Sequence, residues 1–427
     1  MATVVEQPLA QRDYFTDQSI LRDPYEYFEA IRATGPVARL DSGIVFVTGF
    51  DESVEVLRNV DDFSSVISTA GPVVPLPFTP QGSDISEQIE AHRQEMAPTE
   101  LIVTYDGAAH SASRAIMNKL FVPARLKANE AFMHRLAAEV VAEQVAKGSC
   151  DIINEVATPY VTLVIADLLG VPPEDRQKFR EVIDAGPPPG DMNAAAENQQ
   201  SYSLMFMAKF FHEYLSERRA NPREDVMTEL ANATFPDGSE APLMEVVKLA
   251  MFLFAAGQDT SAKLIGNAMR FLVETPGLQA ELRANPGRIA GFLEEVLRLE
   301  GSTKATFRLV KRDTRIGDMP VKAGDKVFVG LAAANRDPRR WDDPRDLRIG
   351  RDRIAQHVAF GRGAHVCVGA PLARVEVRVL FEELFAQTSD IALDEAVHGP
   401  AGASNLAYEP SYIIRGLEDL HIKLTPR

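Results

Sequence analysis

The side chain with the clearest chemical potential is Cys367, which lies in a loop containing Gly361, Gly363 and Gly369. Glycines allow the backbone of such a loop to approach a flat group closely. An apolar helix is predicted to start near Ala370, and a helix N-terminus stabilises a thiolate just before it. Backbone N–H groups near the sulfur would also tune its donation to a metal. The pattern therefore predicts a metal-binding thiolate, and the alternative is a buried structural cysteine.

A second polar pair lies inside the apolar segment 242–275, which is predicted to form one long helix. In the stretch 256–261, Asp259 stands next to Thr260. A carboxyl beside a hydroxyl can relay protons from solvent into a dry pocket, and polar residues can open a helix locally to water. Alone, the pair is interpreted more simply as a polar break in a buried helix. Beside Cys367, a proton relay is the better interpretation.

Two further pairs have helical spacing. Glu295 and Arg298 are three residues apart, and His110 and Arg114 are four apart, so each pair shares one helix face. Taken alone, either pair could be an ordinary surface charge, because exposed ion pairs are common and contribute little stability.

Together these segments resemble the cytochrome P450 family. The residues that match its haem-binding signature are Phe360, Gly361, Arg362, Gly363, His365, Cys367, Gly369, Leu372 and Ala373. The resemblance implies that Cys367 is the axial ligand of the iron of haem b, with Phe360 and Gly361 beside the cofactor. A thiolate ligand pushes electron density onto iron and favours cleavage of the O–O bond.

The resemblance assigns roles to the other pairs as well. Asp259 and Thr260 match the oxygen-activating stretch, in which they would form the proton relay. The cations that match the family's partners of the haem propionates are His110, Arg114, Arg308 and His365. Buried carboxylates require such cations.

Glu295 and Arg298 match a structural Glu-x-x-Arg motif. In the family this motif holds the segment before the cysteine loop, together with a third arginine. Arg351 is the expected third residue. Arg353 is the alternative, because the interval from Arg351 to Phe360 is one residue longer than is common.

The elements that must position these residues are mostly helices. Beyond a helix that starts after Asp23-Pro24, helices are predicted over residues 51–58, 130–146, 154–169, 173–183, 193–219, 242–275 and 370–388. A hairpin is predicted over 37–48, short strands over 313–328, and a long, partly irregular loop over 68–100. The run Gly186-Pro187-Pro188-Pro189-Gly190 is predicted to break a pair of helices. The resemblance spans residues 23–424. It implies a mainly α fold with small β-sheets (α+β), in a single large triangular domain covering residues 1–427. Residues 1–22 are expected to be a poorly structured arm.

Composition restricts the setting of this domain. The 427 residues carry a formal net charge of −16, which disfavours non-specific nucleic-acid binding. The two cysteines are too far apart in sequence to indicate a disulfide framework. The N-terminus lacks the pattern of a signal peptide, and no uninterrupted apolar stretch has the length of a membrane span. A monomer in the cytoplasm is expected, without nucleic-acid or membrane partners.

The function implied is that of a monooxygenase that uses O₂ to hydroxylate or oxidatively dealkylate a small apolar substrate. No flavin or nicotinamide domain is recognisable, so the electrons are expected to come from an iron–sulfur ferredoxin and its reductase. Seven basic residues lie in segments that flank the cysteine loop: Arg114, Lys119, Arg125, Lys127, Arg362, Arg374 and Arg378. They could form a basic patch on which the ferredoxin docks, or they could serve only solubility and the pairing of the propionates.

Two alternative functions remain: a haem-thiolate enzyme that uses peroxide directly, and a non-catalytic haem sensor. Asp259 and Thr260 argue against both, because neither needs a proton relay. The substrate pocket is expected to be formed by residues 72–100, 184–192, 253–260, 300–306 and 404–412, with Phe78, Phe252 and Leu406 as apolar members. Arg93, His92 and Lys304 are candidate anchors for an anionic substrate, although a solvated surface role is simpler for each.

Overall fold

The computed structural model describes residues 7–184 and 194–427 of the chain. The α-helices in these ranges are α1 (Gln18–Arg22), α2 (Tyr25–Thr34), α3 (Phe50–Arg58), α4 (Ser86–Ala91), α5 (Arg93–Met96), α6 (Gly107–Asn118), α7 (Pro123–Lys147), α8 (Thr158–Leu169), α9 (Pro173–Asp184), α10 (Ala194–Ala220), α11 (Val226–Ala231), α12 (Leu243–Glu274), α13 (Leu278–Ala284), α14 (Ile289–Glu300), α15 (Leu331–Ala334), α16 (Ala370–Gln387) and α17 (Glu395–His398). The predicted helical regions are confirmed.

The strands of the described residues are β1 (Val37–Arg39), β2 (Val45–Val47), β3 (Phe63–Ser64), β4 (Ser149–Asp151), β5 (Thr306–Val310), β6 (Thr314–Ile316), β7 (Met319–Val321), β8 (Lys326–Val329), β9 (Thr388–Leu393) and β10 (His421–Pro426). They form sheets in the orders β1-β2-β8-β5-β3, β4-β10-β9 and β6-β7. The mainly α fold with small β-sheets is thus confirmed.

Helix α12 runs through the helical core and carries the predicted proton-relay residues. It begins after Pro242, whose fixed φ suits a helix start, and its buried residues recur along most of its length. It packs against α8, α10, α14 and α16. The polar stretch around Asp259 therefore lies in the middle of the molecule.

The segment before α8 is a π-helix, Ile152–Ala157. With α8 it forms Ile152–Leu169, which is long and apolar enough to cross a membrane, although 72% of it is buried inside the fold. The sequence predicted a helix over 154–169 but no uninterrupted apolar stretch of membrane-spanning length, because Glu155 and Asp167 interrupt the apolar pattern. Its apolar face is covered by the neighbouring helices, as in the core helix of a soluble protein.

The expectation of a poorly structured arm over residues 1–22 is wrong for the part that the structure describes. Residues 18–22 form α1, and Tyr14 and Phe15 are buried. The Tyr14 ring packs edge-on against Phe328 of β8, with centroids 5.1 Å apart. Phe328 in turn stacks on Phe46 of β2 at 4.0 Å. This aromatic cluster orders the N-terminal segment, because its rings bury a large apolar area.

Two of the predicted irregular segments can be compared with the structure. Residues 68–100 form a long segment that is partly irregular, as predicted, and that contains the short helices α4 and α5. Ile89 and Met96 anchor these short helices in the core. The predicted break at Gly186–Gly190 lies outside the described residues.

Candidate active site

A cavity of about 400 Å³ lies between the middle of α12 and the loop that precedes α16. Cys367 lines it from the loop, and Thr260 lines it from α12. Most other lining side chains are apolar, among them Ile102, Phe252 and Leu253. The structure thus brings the predicted thiolate and the predicted hydroxyl into one enclosed space.

The Cys367 loop is held by its own backbone. The N–H of Cys367 donates to the carbonyl of Phe360 at 2.9 Å, and the N–H of Gly361 donates to Val358 at 2.8 Å. Gly363 has a φ of +73°, and a Cβ there would clash with the Leu57 carbonyl at the end of α3. Only glycine allows the loop to lie so close to that helix.

The sulfur of Cys367 lies at the start of α16. Burial raises the pKa of the thiol, while hydrogen bonds from the backbone N–H groups of Gly369 and Ala370 and the charges of Arg114 and Arg374 lower it. These N–H groups and cations favour a negative charge on sulfur. The donor set therefore suits a metal that binds a thiolate, since coordination removes the proton outright.

Four predicted cations line one region of the cavity wall: His110, Arg114, Arg308 and His365. Arg308 is 4% exposed, yet among the described residues its guanidinium donates only to neutral oxygens, those of Phe307 (2.7 Å), Thr306 (3.1 Å) and Ser68 (3.5 Å). Burial lowers the pKa of Arg308 to about 10. A buried cation without a bonded carboxylate fits an anionic ligand in the cavity.

The side chains of Asp259 and Thr260 on α12 have different surroundings. Thr260 lines the cavity, and its hydroxyl donates to the Ala256 carbonyl at 2.8 Å. Asp259 does not line the cavity but lies 3.9 Å from Lys263, one turn later. Burial raises the pKa of Asp259, and Lys263 opposes this rise. The carboxyl therefore faces Lys263 and the hydroxyl faces the cavity.

The Glu295 carboxylate, which is fully buried, contacts two guanidinium groups and also accepts from the backbone N–H of Arg348 at 3.1 Å. Arg298 donates to it at 2.7 and 2.9 Å, and Arg351 at 2.8 Å. Arg298 also donates to the carbonyls of Asn335, Pro344 and Asp346. Of the two candidates for the third arginine, Arg351 makes the contact and Arg353 is exposed. The cluster fastens the segment that leads into the Cys367 loop.

The predicted pocket ranges are partly wrong. Residues 253–260 and 300–306 contribute lining residues, but none comes from 72–100 or 404–412; their places are taken by Ile102, Val103 and Ile413. Phe78 instead stacks on His92, because α4 and α5 turn the preceding loop away. Of the range 184–192, residues 185–192 lie outside the described residues.

The candidate anion anchors do not reach the cavity either. Arg93 is paired with Glu90 and Asp106. Lys304 is fully buried, which contradicts a solvated role, and donates to the Leu21 carbonyl at 2.8 Å. It ties the N-terminal helix α1 to the core.

Sequence reasoning missed two polar contacts to α12. The Ser302 hydroxyl donates to the Thr260 carbonyl at 2.6 Å, and Lys263 forms an ion pair with Glu409. No local signal connects these pairs, because their members are far apart in sequence. Ser302, in the turn between α14 and β5, and Glu409, in the C-terminal segment, reach α12 only when these two segments fold over it.

A third missed group lies below the Cys367 loop. Glu294 accepts from Arg374 at 2.5 Å and from His357 at 3.1 Å. Burial raises the pKa of Glu294, but these two partners outweigh it and lower the pKa to about 2. Arg374 also covers the Phe360 ring, at 4.6 Å from its centroid. The group therefore supports the loop from outside the cavity.

A cysteine at a helix start, an acid–alcohol pair on the opposite helix and a buried arginine without a carboxylate partner in the described part of the chain fit a haem-thiolate protein. Comparison with known proteins agrees. The cytochrome P450 family profile matches residues 81–387. The chain therefore belongs to the cytochrome P450 family, whose members bind haem b and act as monooxygenases with O₂, a substrate and a redox partner.

Three similar proteins illustrate the relationship. The substrate-free cytochrome P450 CYP150A6 of Mycobacterium marinum is 45% identical, with a TM-score of 0.91 over 98% of this chain and 100% of that one. The vitamin D(3) 25-hydroxylase of Pseudonocardia autotrophica is 32% identical over 79% of this chain and 82% of its own. CYP109E1 of Bacillus megaterium, in complex with corticosterone, is 26% identical, with a TM-score of 0.80 over 96% and 100%.

Proposed function

We propose that this monooxygenase hydroxylates or oxidatively dealkylates a small, neutral, apolar molecule with electrons from an iron–sulfur ferredoxin. One observation carries the proposal. Cys367 and Thr260 line the same cavity, whose wall also holds the buried and carboxylate-free cation Arg308. A thiolate, a proton-handling hydroxyl and an anion site are the three features that haem-thiolate oxygen chemistry demands of a protein.

The residues that would hold the haem follow from their positions. Cys367 would ligate the haem iron, and Phe360 and Gly361, which line the cavity from the same loop, would lie beside the cofactor. His110, Arg114, Arg308 and His365 would pair with the haem propionates. When bound, the cofactor supplies the oxygen activation that no side chain can perform. Glu295, Arg298 and Arg351 are structural, because they hold the segment leading into the loop.

The proton relay is assigned to Thr260 and Asp259. The Thr260 hydroxyl holds a proton at the cavity wall, where its donation to the Ala256 carbonyl fixes its orientation. The adjacent Asp259 can replace that proton, because the raised pKa of its carboxyl keeps the acid form accessible. Together they deliver protons into a cavity whose apolar walls supply none.

The substrate class follows from the charges around the cavity. Among the described lining residues, those that can carry a full charge, besides Cys367, are His110, Arg114, Arg308, Arg362, His365 and Glu376. The cations are assigned above to the propionates or point towards the Cys367 loop, and Glu376 accepts from Ser261. The remaining surface suits a neutral apolar molecule. Corticosterone and vitamin D3, named for the similar proteins, belong to that class.

The ferredoxin would dock beside the Cys367 loop. Several predicted cations are already neutralised, since Arg125, Arg374 and Arg378 pair with Glu229, Glu294 and Glu130. Arg362 has no such carboxylate partner among the described residues and lies near other cations: burial and then the charges of Arg58, Arg374 and Arg340 lower its pKa. This smaller basic surface suits an acidic partner. We also propose that the protein is a cytoplasmic monomer.

The deciding measurement is the absorption spectrum of the reduced protein with carbon monoxide. A strongly red-shifted Soret band is expected, and Cys367→Ser should abolish it while Cys150→Ser, at the other and buried thiol, should not. An imidazole-type band in the unaltered protein would overturn the proposal. Neutral steroids should shift the ferric spin state, whereas carboxylate analogues should not.

The ferredoxin assignment has its own test. Arg362→Glu should raise the KM for ferredoxin at low salt, and added salt should reduce the difference. Lys209→Glu, at an exposed lysine on α10, is the matched control. Equal KM values for ferredoxin in the two variants would contradict the proposal that ferredoxin docks at Arg362.

A further inference from the structure

Three ionisable side chains next to Thr260 in the fold form a largely buried cluster: Asp259, Lys263 and Glu409. The Lys263 ammonium forms an ion pair with Glu409 and lies 3.9 Å from the nearer oxygen of Asp259. The exposed fractions of the side chains are 8% for Lys263, 12% for Glu409 and 23% for Asp259. The cluster joins the middle of α12 to the C-terminal segment.

The backbone of the C-terminal segment is shaped to receive Lys263. The lysine stem lies against Gly416, where any Cβ would overlap its Cβ, Cγ and Cδ atoms. The carbonyl of the same Gly416 accepts from the N–H of Glu409 at 3.0 Å. One short stretch of chain therefore provides both the space for the lysine and the carboxylate that it meets.

The cluster contains two carboxyls and one ammonium. Oδ2 of Asp259 and Oε2 of Glu409 are buried and have no hydrogen-bond partner among the described residues. Fully ionised, the cluster would carry a net charge of −1, which is costly in a medium of low dielectric constant. One added proton makes it neutral. Burial accordingly raises the pKa of both carboxyls in spite of Lys263.

We propose that Glu409 and Lys263 form the proton supply for Asp259, and the inference rests on the function proposed above. The ammonium of Lys263 gives one proton to the Asp259 carboxylate and takes one from the Glu409 carboxylic acid. Lysine ends as it began, and one proton has moved inward. Glu409 is recharged from the solvent side, where Glu418 is 41% exposed and close enough to raise the pKa of Glu409.

Glu409→Gln tests the inference in the haem-loaded enzyme. The variant leaves Lys263 with Asp259 alone, so the remaining pair is fully ionised and holds no spare proton. Turnover should fall by about ten-fold or more, and the solvent deuterium isotope effect on turnover should increase. The substrate-induced spin shift should stay unchanged. In the infrared difference spectrum of the unaltered protein minus Glu409→Gln, a band of a protonated carboxyl should appear without any turnover being needed, and the carboxyl of Glu376, which is common to both proteins, should cancel.

Matched variants separate a proton supply from a structural role. Glu409→Asp, which keeps the carboxyl, should restore part of the turnover. Lys263→Met should slow turnover like Glu409→Gln. Lys248→Met, at a lysine on the same helix paired with Glu100 and Glu245, should have no effect on the isotope effect.

The outcomes also separate this inference from the proposed function. If Glu409→Gln keeps the turnover, the isotope effect and the infrared band of the unaltered protein, the supply is overturned, while the carbon monoxide band still supports a haem-thiolate enzyme. If that band is absent in the unaltered protein, the function itself fails.

Discussion

The imidazole rings of His110 and His365 lie 4.0 Å apart, centroid to centroid, in the cavity wall. Burial, then Arg308, His110 and Arg114, lower the pKa of His365 to about 2. Burial and Arg114 likewise lower the pKa of His110. An anion beside the two rings and the neighbouring guanidiniums would favour the protonated forms of both imidazoles, so this part of the wall suits the propionates of the haem.

Arg308→Gln should weaken haem retention, because the variant removes the buried charge that would pair with a propionate. A charge-assisted hydrogen bond contributes about 1.5–3 kcal/mol, so transfer of haem to apomyoglobin should be about ten-fold faster or more. Arg312→Gln, at a residue that is 45% exposed in the same region of the chain, is the control. Equal transfer rates for the two variants would contradict the assignment of Arg308.

Thr260→Ala should divert reducing equivalents to hydrogen peroxide, because the cavity loses its proton-holding hydroxyl. The measurement is the ratio of peroxide to oxidised product. Thr162→Ala is a matched control, since the Thr162 hydroxyl donates to the residue four positions earlier at 2.7 Å but does not line the cavity. Unchanged coupling in Thr260→Ala would remove Thr260 from the relay.

Arg351→Ala should destabilise the protein and reduce its haem content. Glu295 is fully buried, and removing one partner leaves part of a buried charge uncompensated, which costs about 3–5 kcal/mol. Arg348→Ala removes a guanidinium that is 52% exposed and pairs with Asp343, so its effect should stay within about 1 kcal/mol. Denaturant unfolding of both variants provides the comparison. Similar losses in both would show that the Glu295 cluster does not fasten the segment.

The stability of the protein should depend on the titration of Glu376, whose pKa burial raises to about 7 against the hydrogen bond from Ser261. A carboxyl with a raised pKa in the folded state stabilises the fold below its unfolded pKa, and this contribution is lost as the pH rises through about 7. Glu376→Gln should therefore stabilise the protein more at about pH 8 than at about pH 5, by up to about 3 kcal/mol.

Glu382→Gln is the control for this pH dependence. Glu382 lies on the same helix but pairs with Arg378 nearer the surface. Its effect on the free energy of unfolding should be the same at both pH values. If the effect of Glu376→Gln on the free energy of unfolding is also the same at the two pH values, Glu376 is ionised in the folded protein at both.

The elements that the sequence predicted best are those with local signals. Helix α2 follows a Pro and has apolar residues at helical spacing, and α16 follows the glycine loop, so both were predictable. The parallel pairing of β2 with β8 was not, because Val45 and Val327 carry no sequence signal for each other. The burial of Tyr14 was missed for the same reason: its partners come from distant strands.

The residues of the site likewise divide into those with a local sequence signal and those without one. Cys367 and Thr260 were identifiable because their immediate neighbours form recognisable patterns. The choice between Arg351 and Arg353 needed the structure, since spacing alone allowed either and the backbone of Arg353 turns through a positive φ of 58°. Glu409 could not be found from the sequence, because nothing near it indicates that Lys263 lies beside it.

The pairing of β2 with β8 has a consequence for how the protein reaches its native state. Residues 45–47 pair with residues 327–329, so the five-stranded sheet cannot form until these two distant segments meet. The chain between them is mostly helical. Helices form from contacts that are close in sequence, whereas such distant strand pairs are slow to meet. Folding should therefore be limited by closure of this sheet over a helical core that is already collapsed. Substitutions in β2 and β8 should slow refolding more than equally destabilising ones in α10.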